Sequence, residues 1–285
     1  MPSSVSSETL SLLHLFSGPA ERPDGFASFV QEKSGKCRDV DIVNKTATYT
    51  FSHDLADDSL WLLLMDEFRK GIYNALFLGT PCTTFSAART GPPGPRALRS
   101  PQHPYGLPKK ELTIRENEEV RLGTYFALKS AEFCKMAVDM QRPFALENPK
   151  PKKGVVSLFD LPEMLAVAKM PGVRVVDFDQ CPFGAETAKP TRILYFGIDL
   201  SGLQCTCDHP PREWTWTNWF GKTITATRPH PPLAGRLRED GTPATKAAAA
   251  YPAQLNRALA DSFLAGFRPV LSGKRARQKR LRQHR

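Results

Sequence analysis

The sequence predicts an α/β protein built on a doubly wound, mostly parallel sheet, and three observations carry that expectation. Strand-like and helix-like segments alternate from Leu12 to Phe196, the pattern of a sheet covered by helices on both faces. At least one strand, Ala75 to Leu78, is a continuous apolar run, as expected where both faces of a strand are buried. Finally, 285 residues with 41% hydrophobic content are enough for one large domain with a sizeable core.

The elements follow in order. Leu12 to Phe16 is a short apolar strand running into Ser17-Gly18-Pro19, and Phe26 to Glu32 reads as a helix. Arg38 to Val43 is a second strand carrying Asp39 and Asp41, and Leu60 to Lys70 has Leu60, Leu63, Leu64 and Phe68 at helical spacing. After the strand Ala75 to Leu78, the segment Gly91 to Pro108 is too rich in proline, glycine and arginine for regular structure and reads as a functional lid or a disordered loop. Glu111 to Met140 is the longest helical pattern, with Leu122, Phe126, Phe133, Met136 and Met140 as its expected core face. Phe144 to Leu146 is a strand, Leu161 to Lys169 a helix, and Val173 to Phe178 and Arg192 to Phe196 are strands. Past Gly197 the pattern breaks into loop rich in Cys, Trp and Pro until Ala247, and a last helix runs from about Pro252 to Gly266.

Charge and cysteine content narrow the class. Of the net charge of +10, seven positive charges lie in Lys274 to Arg285, leaving about +3 for the rest. That tail reads as a nuclear-import signal, a phosphate-gripping arm or a solvated tail without a specific role. No apolar run approaches the roughly 20 residues of a membrane span. Met1 to Leu10 has neither the basic residues nor the apolar stretch of a signal peptide. Six cysteines without a disulfide-like framework point to a reducing, intracellular compartment. A monomer is expected.

The chemistry centres on Thr80-Pro81-Cys82-Thr83-Thr84-Phe85-Ser86. Ligands of open α/β sheets bind beyond the carboxyl ends of strands, so Cys82 stands where a nucleophile would. A buried structural cysteine is the competing reading. Phe144-Ala145-Leu146-Glu147-Asn148-Pro149 is a second strand ending in an acid, and parallel strands deliver Glu147 and Cys82 to one rim. A thiol and an acid together suggest covalent catalysis assisted by proton transfer. The glycine-containing turn at Phe16-Ser17-Gly18, the acid Asp41 and the pair Asp54-Leu55 suggest an adenosine-containing ligand, with Asp41 on ribose hydroxyls and Asp54 on the adenine amine. Asp54 also suits a helix N-cap.

In that order, Phe-Ser-Gly, Pro-Cys with a serine four residues beyond, and Glu-Asn-Pro resemble the motifs of the DNA cytosine-5 methyltransferases over residues 11–197. Gln180-Cys181-Pro182-Phe183-Gly184 and Lys189-Pro190-Thr191 resemble a divergent branch carried by phages and mobile elements. The resemblance implies a class I, Rossmann-like methyltransferase fold and S-adenosyl-L-methionine as cofactor, with Phe16, Ser17, Gly18, Asp41, Asp54 and Leu55 lining its pocket. It implies that Cys82 attacks C6 of a flipped-out cytosine. Glu147, protonated, would then bond ring N3, the methyl would reach C5, and loss of the C5 proton would expel the thiol. Ser86, Asn148, Lys189 and Arg192 are the implied substrate contacts.

This chain departs from the family pattern at four places. Thr80 replaces a proline, and Pro19 and Ala20 interrupt a glycine pair. Lys189 and Arg192 stand in for an arginine-rich strand, and Ala250-Tyr251-Pro252 stands where a Gly-Asn turn closes the cofactor pocket. The expected organisation is a catalytic domain at 11–197, a small target-recognition-like insert at 198–246, a returning C-terminal helix at 247–268 and the basic tail at 269–285. The partner is DNA, and nuclear localisation follows if the source is eukaryotic. An RNA cytosine-5 methyltransferase and an inactive nucleic-acid-binding homologue are the alternatives.

Within 198–246, Trp214, Trp216 and Trp219 either stack on bases or form a small aromatic core, and Arg228, His230, Arg236 and Arg238 add positive charge. Cys205-x-Cys207-x-His209 has metal-ligating residue types, which Cys181 or His230 would complete. Its spacing is tighter than the usual zinc pattern, and no metal is assigned.

Overall fold

The computed structural model describes residues 9–20, 22–44, 53–89 and 94–267, so the basic tail lies outside the described residues. The main sheet is formed by β1 (Ser11–Leu15), β2 (Lys36–Val40), β3 (Ala75–Leu78), β4 (Phe144–Pro149), β5 (Arg174–Asp179) and β6 (Pro190–Phe196). Their spatial order is β2-β1-β3-β4-β6-β5. β1 to β4 pair in parallel, and β6 runs antiparallel between β4 and β5. This is the doubly wound, mostly parallel α/β class expected from the sequence.

Both faces of the sheet are apolar, and each is covered by helices. Leu13, Leu76 and Phe144 sit side by side in register, as do Leu15, Leu78, Leu146 and Leu194. This face packs on α2 (Asp58–Arg69), α3 (Ile114–Asp139) and α4 (Pro162–Ala168). On the other, Leu12, Ala75, Phe77, Ala145 and Ile193 meet α1 (Phe26–Glu32) and, after a short α5 (Ala244–Ala247), α6 (Ala253–Phe267). The chain leaves β1 for β2 on one side and returns to β3 on the other, so β1 and β3 flank the switch point where ligands of such folds bind.

Local chemistry sets the element ends. α3 starts at Ile114 because Thr113 and Glu116 form a reciprocal capping box. Asp57, not Asp54, caps α2, accepting from the Ser59 amide at 2.8 Å. The core face of α3 is made chiefly of small residues, Gly123, Ala127, Ser130, Ala131, Cys134 and Ala137, together with Phe133. Of the five expected core residues, Leu122, Phe126, Met136 and Met140 are only half-buried.

In residues 94–108, the described part of the segment expected to be a lid or a disordered loop, two side chains are anchored in the protein while much of the rest is exposed. Leu98 is buried with Leu112 and Val120, and Arg99 is 5% exposed. The Arg99 guanidinium lies 3.8 Å from the Phe85 ring centre and donates to Thr84 Oγ1, Thr124 Oγ1 and the carbonyls of Pro104 and Val120. Burial draws its pKa down to about 10.

Gly123 lets α3 approach this cluster. A Cβ there would stand 2.5 Å from Thr84 Oγ1 and 3.2 Å from Arg99 Nη2. Gly to Ala inside a helix ordinarily stabilises by about 1 kcal/mol. Here Gly123→Ala is expected to destabilise by roughly 1–3 kcal/mol, since a buried β-branched hydroxyl must move. A denaturant midpoint at or above that of the native chain would contradict it.

The expectation of loop from Gly197 to Ala247 is corrected. β7 (Arg212–Asn218), β8 (Thr223–Arg228) and β9 (Arg236–Leu237) form an antiparallel sheet in the order β8-β7-β9. Thr and Trp alternate along β7, and opposite it Thr223, Thr225 and Thr227 alternate with Ile224 and Ala226. That period of two is a strand signal masked in the sequence by flanking prolines and the Cys-rich run. No helix among the described residues is long and apolar enough to cross a membrane.

Candidate active site

Cys82 follows β3, and the loop carrying it is held from three directions. Gly79 donates its amide to Leu15 at 3.0 Å. A Cβ at Gly79 would lie 3.1 Å from both the Phe16 carbonyl oxygen and the Tyr251 hydroxyl, so a side chain would not fit there without displacing one of them. The Thr80 hydroxyl bonds that of Ser130 on α3 at 2.8 Å, and Asn148 Nδ2 on β4 donates to the Thr80 carbonyl at 2.7 Å. Cys82 is partly exposed, yet its crowded surroundings and the nearby Glu147 carboxylate push the thiol up to about 11, while Lys189 pulls the other way.

Glu147 stands at the end of the neighbouring parallel strand and is 8% exposed. Burial raises its pKa, which favours the protonated acid, against the opposing charge of Lys189 and a hydrogen bond from Tyr251. That bond runs from the Tyr251 hydroxyl to Glu147 Oε2 at 2.6 Å. The Tyr251 phenol is itself held well above its ordinary value, first by burial and then by the charges of Glu147 and Cys82.

Lys189 ties these groups together. Its Nζ donates to the Ala248 carbonyl at 2.6 Å and lies 5.2 Å from the centre of the Tyr251 ring. Its backbone is left-handed (φ +41°), a cost that non-glycine residues bear mostly where surroundings force it. Tyr251 enters from the turn before α6, and sequence reasoning named it only as the residue standing in for a closing turn.

The loops after β1 and β2 form the other side of the crevice. Phe16 is left-handed (φ +57°) with its ring 5.1 Å from that of Phe126, and Gly18 is left-handed (φ +70°) with nothing within 4 Å of where a Cβ would stand. Asp41 Oδ2 accepts from the Gly18 amide at 3.0 Å and Oδ1 from that of Val43 at 3.1 Å. Asn44, which sequence reasoning missed, accepts from the Ala20 amide at 2.7 Å and donates to the Gly18 carbonyl at 3.0 Å. The Ser17 hydroxyl turns onto the Gly18 carbonyl at 3.0 Å. Asp54 Oδ1 accepts from the Ala56 amide.

Other sequence-named residues fall elsewhere. Leu55 buries its side chain in the core, and its carbonyl accepts from Trp61 Nε1 at 2.6 Å. Arg192 forms a two-pronged pair with Asp177 at 2.7 and 2.8 Å, and strand alternation sets it on the opposite sheet face from Glu147. Ser86 accepts from the Ala88 amide at 3.2 Å, closing a turn beyond the cysteine loop. Asn148 is buried and its Nδ2 positions that loop, while its Oδ1 has no hydrogen-bond partner among the described residues.

The tryptophans do not form the small aromatic core that was one expectation. Trp214, Trp216 and Trp219 belong to none of the buried clusters of the described residues. Trp214 and Trp216 share one face of β7 with Arg212, and Arg228 joins them from β8. Arg212 lies 3.9 Å from the Trp214 ring centre and Arg228 5.7 Å from that of Trp216.

No protein-family model matches the chain, and no curated protein matches it. Among solved structures, the crystal structure of an E. coli protein encoded within a prophage and described as a candidate DNA modification methyltransferase is similar over 68% of this chain. The identity is 15%, the TM-score 0.34, and the chain spans about half (49%) of that protein's length. The likeness is too distant to carry chemistry across.

Proposed function

We propose that this chain is a methyltransferase that uses S-adenosyl-L-methionine to methylate cytosine at C5 in DNA, with Cys82 as nucleophile and Glu147 as the acid at ring N3. The observation that carries this reading is the meeting of the Cys82 thiol and the Glu147 carboxyl at the carboxyl ends of adjacent parallel strands, beside the switch point of the sheet. A structural cysteine has no need of a buried acid next to it, whereas attack on an electron-poor ring needs both.

The cofactor fits the residues present. Gly18 offers open backbone, Phe16 supplies an aromatic wall, and Asp41 lies one loop away with acceptor capacity beyond its two amide bonds. When bound, S-adenosyl-L-methionine supplies an electrophilic methyl group. Phe16, Ser17, Gly18, Asp41 and Asp54 would hold it, and Leu55 contributes through the core beneath them.

The chain's own groups divide the work. Tyr251 holds Oε2 of Glu147, leaving Oε1 for the base. Glu147 is biased toward keeping a proton, the form that can donate to N3. When ionised, Glu147 is also one cause of the raised thiol pKa, so a base that holds Glu147 in its protonated form removes that repulsion and favours the thiolate. Lys189 favours both anions electrostatically. The Trp and Arg face of β7 and β8 offers stacking surfaces and positive charge to nucleic acid.

Labelled methyl transfer from S-adenosyl-L-methionine to duplex DNA, single-stranded DNA and RNA tests the reading. The expected result is label in DNA, recovered as 5-methylcytosine after digestion to nucleosides. Label only in RNA would replace the substrate, and no transfer to any nucleic acid would leave an inactive homologue.

A further inference from the structure

We propose that Cys181, Cys207, His209 and His230 form a structural zinc site that fastens the base of the β7–β8 hairpin to the end of β5. The ligand atoms of these four residues all lie within 4.8 Å of one another. Cys207 Sγ is 3.5 Å from His209 Nδ1 and 3.2 Å from His230 Nε2. Tetrahedral zinc with Zn–S of about 2.3 Å and Zn–N of about 2.0–2.1 Å sets neighbouring sulfur and nitrogen ligands roughly 3.5 Å apart. Two thiols and two imidazoles are also the donor set that closed structural zinc sites use.

The surroundings are organised as a metal site requires. His230 Nδ1 lies 3.0 Å from the Glu186 carbonyl, which turns Nε2 toward the thiol. The Cys207 amide donates to Asp179 Oδ2 at 2.7 Å, fixing the backbone of one ligand to the last residue of β5. Cys181 is buried. Cys205, a candidate ligand by residue type, is not part of the set: its sulfur lies against the Asp179 carbonyl at 3.8 Å.

The position explains what the metal would do. Cys207 and His209 precede β7, His230 follows β8, and Cys181 follows β5, so one ion closes the open end of the hairpin and joins it to the main sheet. The hairpin buries little apolar surface of its own, so a metal cross-link is an efficient way to hold it.

The test uses the full-length, reduced chain. Zinc titrated in competition with a chromophoric chelator is expected to bind at one ion per chain, and Co2+ is expected to give thiolate-to-cobalt charge-transfer bands with tetrahedral d–d intensity. Cys181→Ser, Cys207→Ser and His230→Gln are expected to weaken zinc roughly a hundredfold or more, judged against the 10–100-fold cost of losing only an outer-shell partner. Cys205→Ser is expected to leave affinity and spectrum unchanged. Absence of both zinc uptake and the cobalt bands in the native chain would overturn the site, even if a variant failed to fold. Equal loss on Cys205→Ser would overturn this ligand set.

Discussion

Cys82→Ser is expected to abolish methyl transfer and to prevent a covalent complex with DNA carrying 5-fluorocytosine. The native chain should form that complex, because fluorine at C5 cannot leave as a proton and the sulfur then stays bonded to C6. A hydroxyl is a far weaker nucleophile than a thiolate, so turnover should fall by on the order of 10⁴-fold or more. The loop should survive the change, since it is held through Gly79, Thr80 and Asn148 rather than through the sulfur. Denaturing electrophoresis of the trapped complex and single-turnover rates read the two effects. A serine variant that still forms the adduct would move the nucleophile elsewhere. Cys134 is buried in the core, its thiol pushed well above its ordinary value by burial alone, and cannot take that role.

Glu147→Gln should lose activity and gain stability together. Removing a positioned acid costs about 10²–10⁴-fold in rate. Glutamine keeps an oxygen for the Tyr251 hydroxyl but has no carboxyl proton to give N3. The stability change has the opposite sign. Burial raises the folded pKa of Glu147 above its unfolded value of about 4.3, so the folded chain retains a proton that the unfolded chain has shed. Stability from this group is therefore full below the unfolded pKa and declines as pH rises through the folded one. Glutamine does not titrate, so the variant should melt higher than the native chain at pH 8, with the gap closing toward pH 4. For a chain of this size each kcal/mol gained is worth about 2–4 °C. Full activity in the variant, or a lower melting temperature at pH 8, would refute the assignment.

Particular residues show how far the sequence could be read. Ala75 to Leu78 is legible as a buried strand because every residue in it is apolar, and Cys82 and Glu147 follow from their places just past one strand and near the end of the next. On α3, large apolar side chains at helical spacing predict a core face that only Phe133 fully occupies. That face is instead lined by small residues such as Gly123, Ala127 and Ala131, and the need for Gly123 shows only once Thr84 and Arg99 are seen to press against it. The family resemblance implies Arg192 as a substrate contact, but its partner Asp177 becomes visible only when β5 pairs with β6. Cys205 suits a metal site by residue type alone, while it is Cys181, 26 positions from Cys207, whose sulfur lies near the ligand atoms of Cys207, His209 and His230 in space.

By itself, the sequence determined the class of fold, the alternation of its elements and the strand-end placement of thiol and acid. These depend on local periodicity, on turn residues and on the polarity of parallel strands, all written within a few residues of one another. The tertiary structure alone decided the company those groups keep. Tyr251 meets Glu147 across 104 positions of chain, and Lys189 reaches Ala248 across 59. His230 comes back to Cys207 only when a hairpin forms between them. Such contacts arise from packing two helical layers and a small sheet around one rim, and a linear pattern holds no distance between residues so far apart.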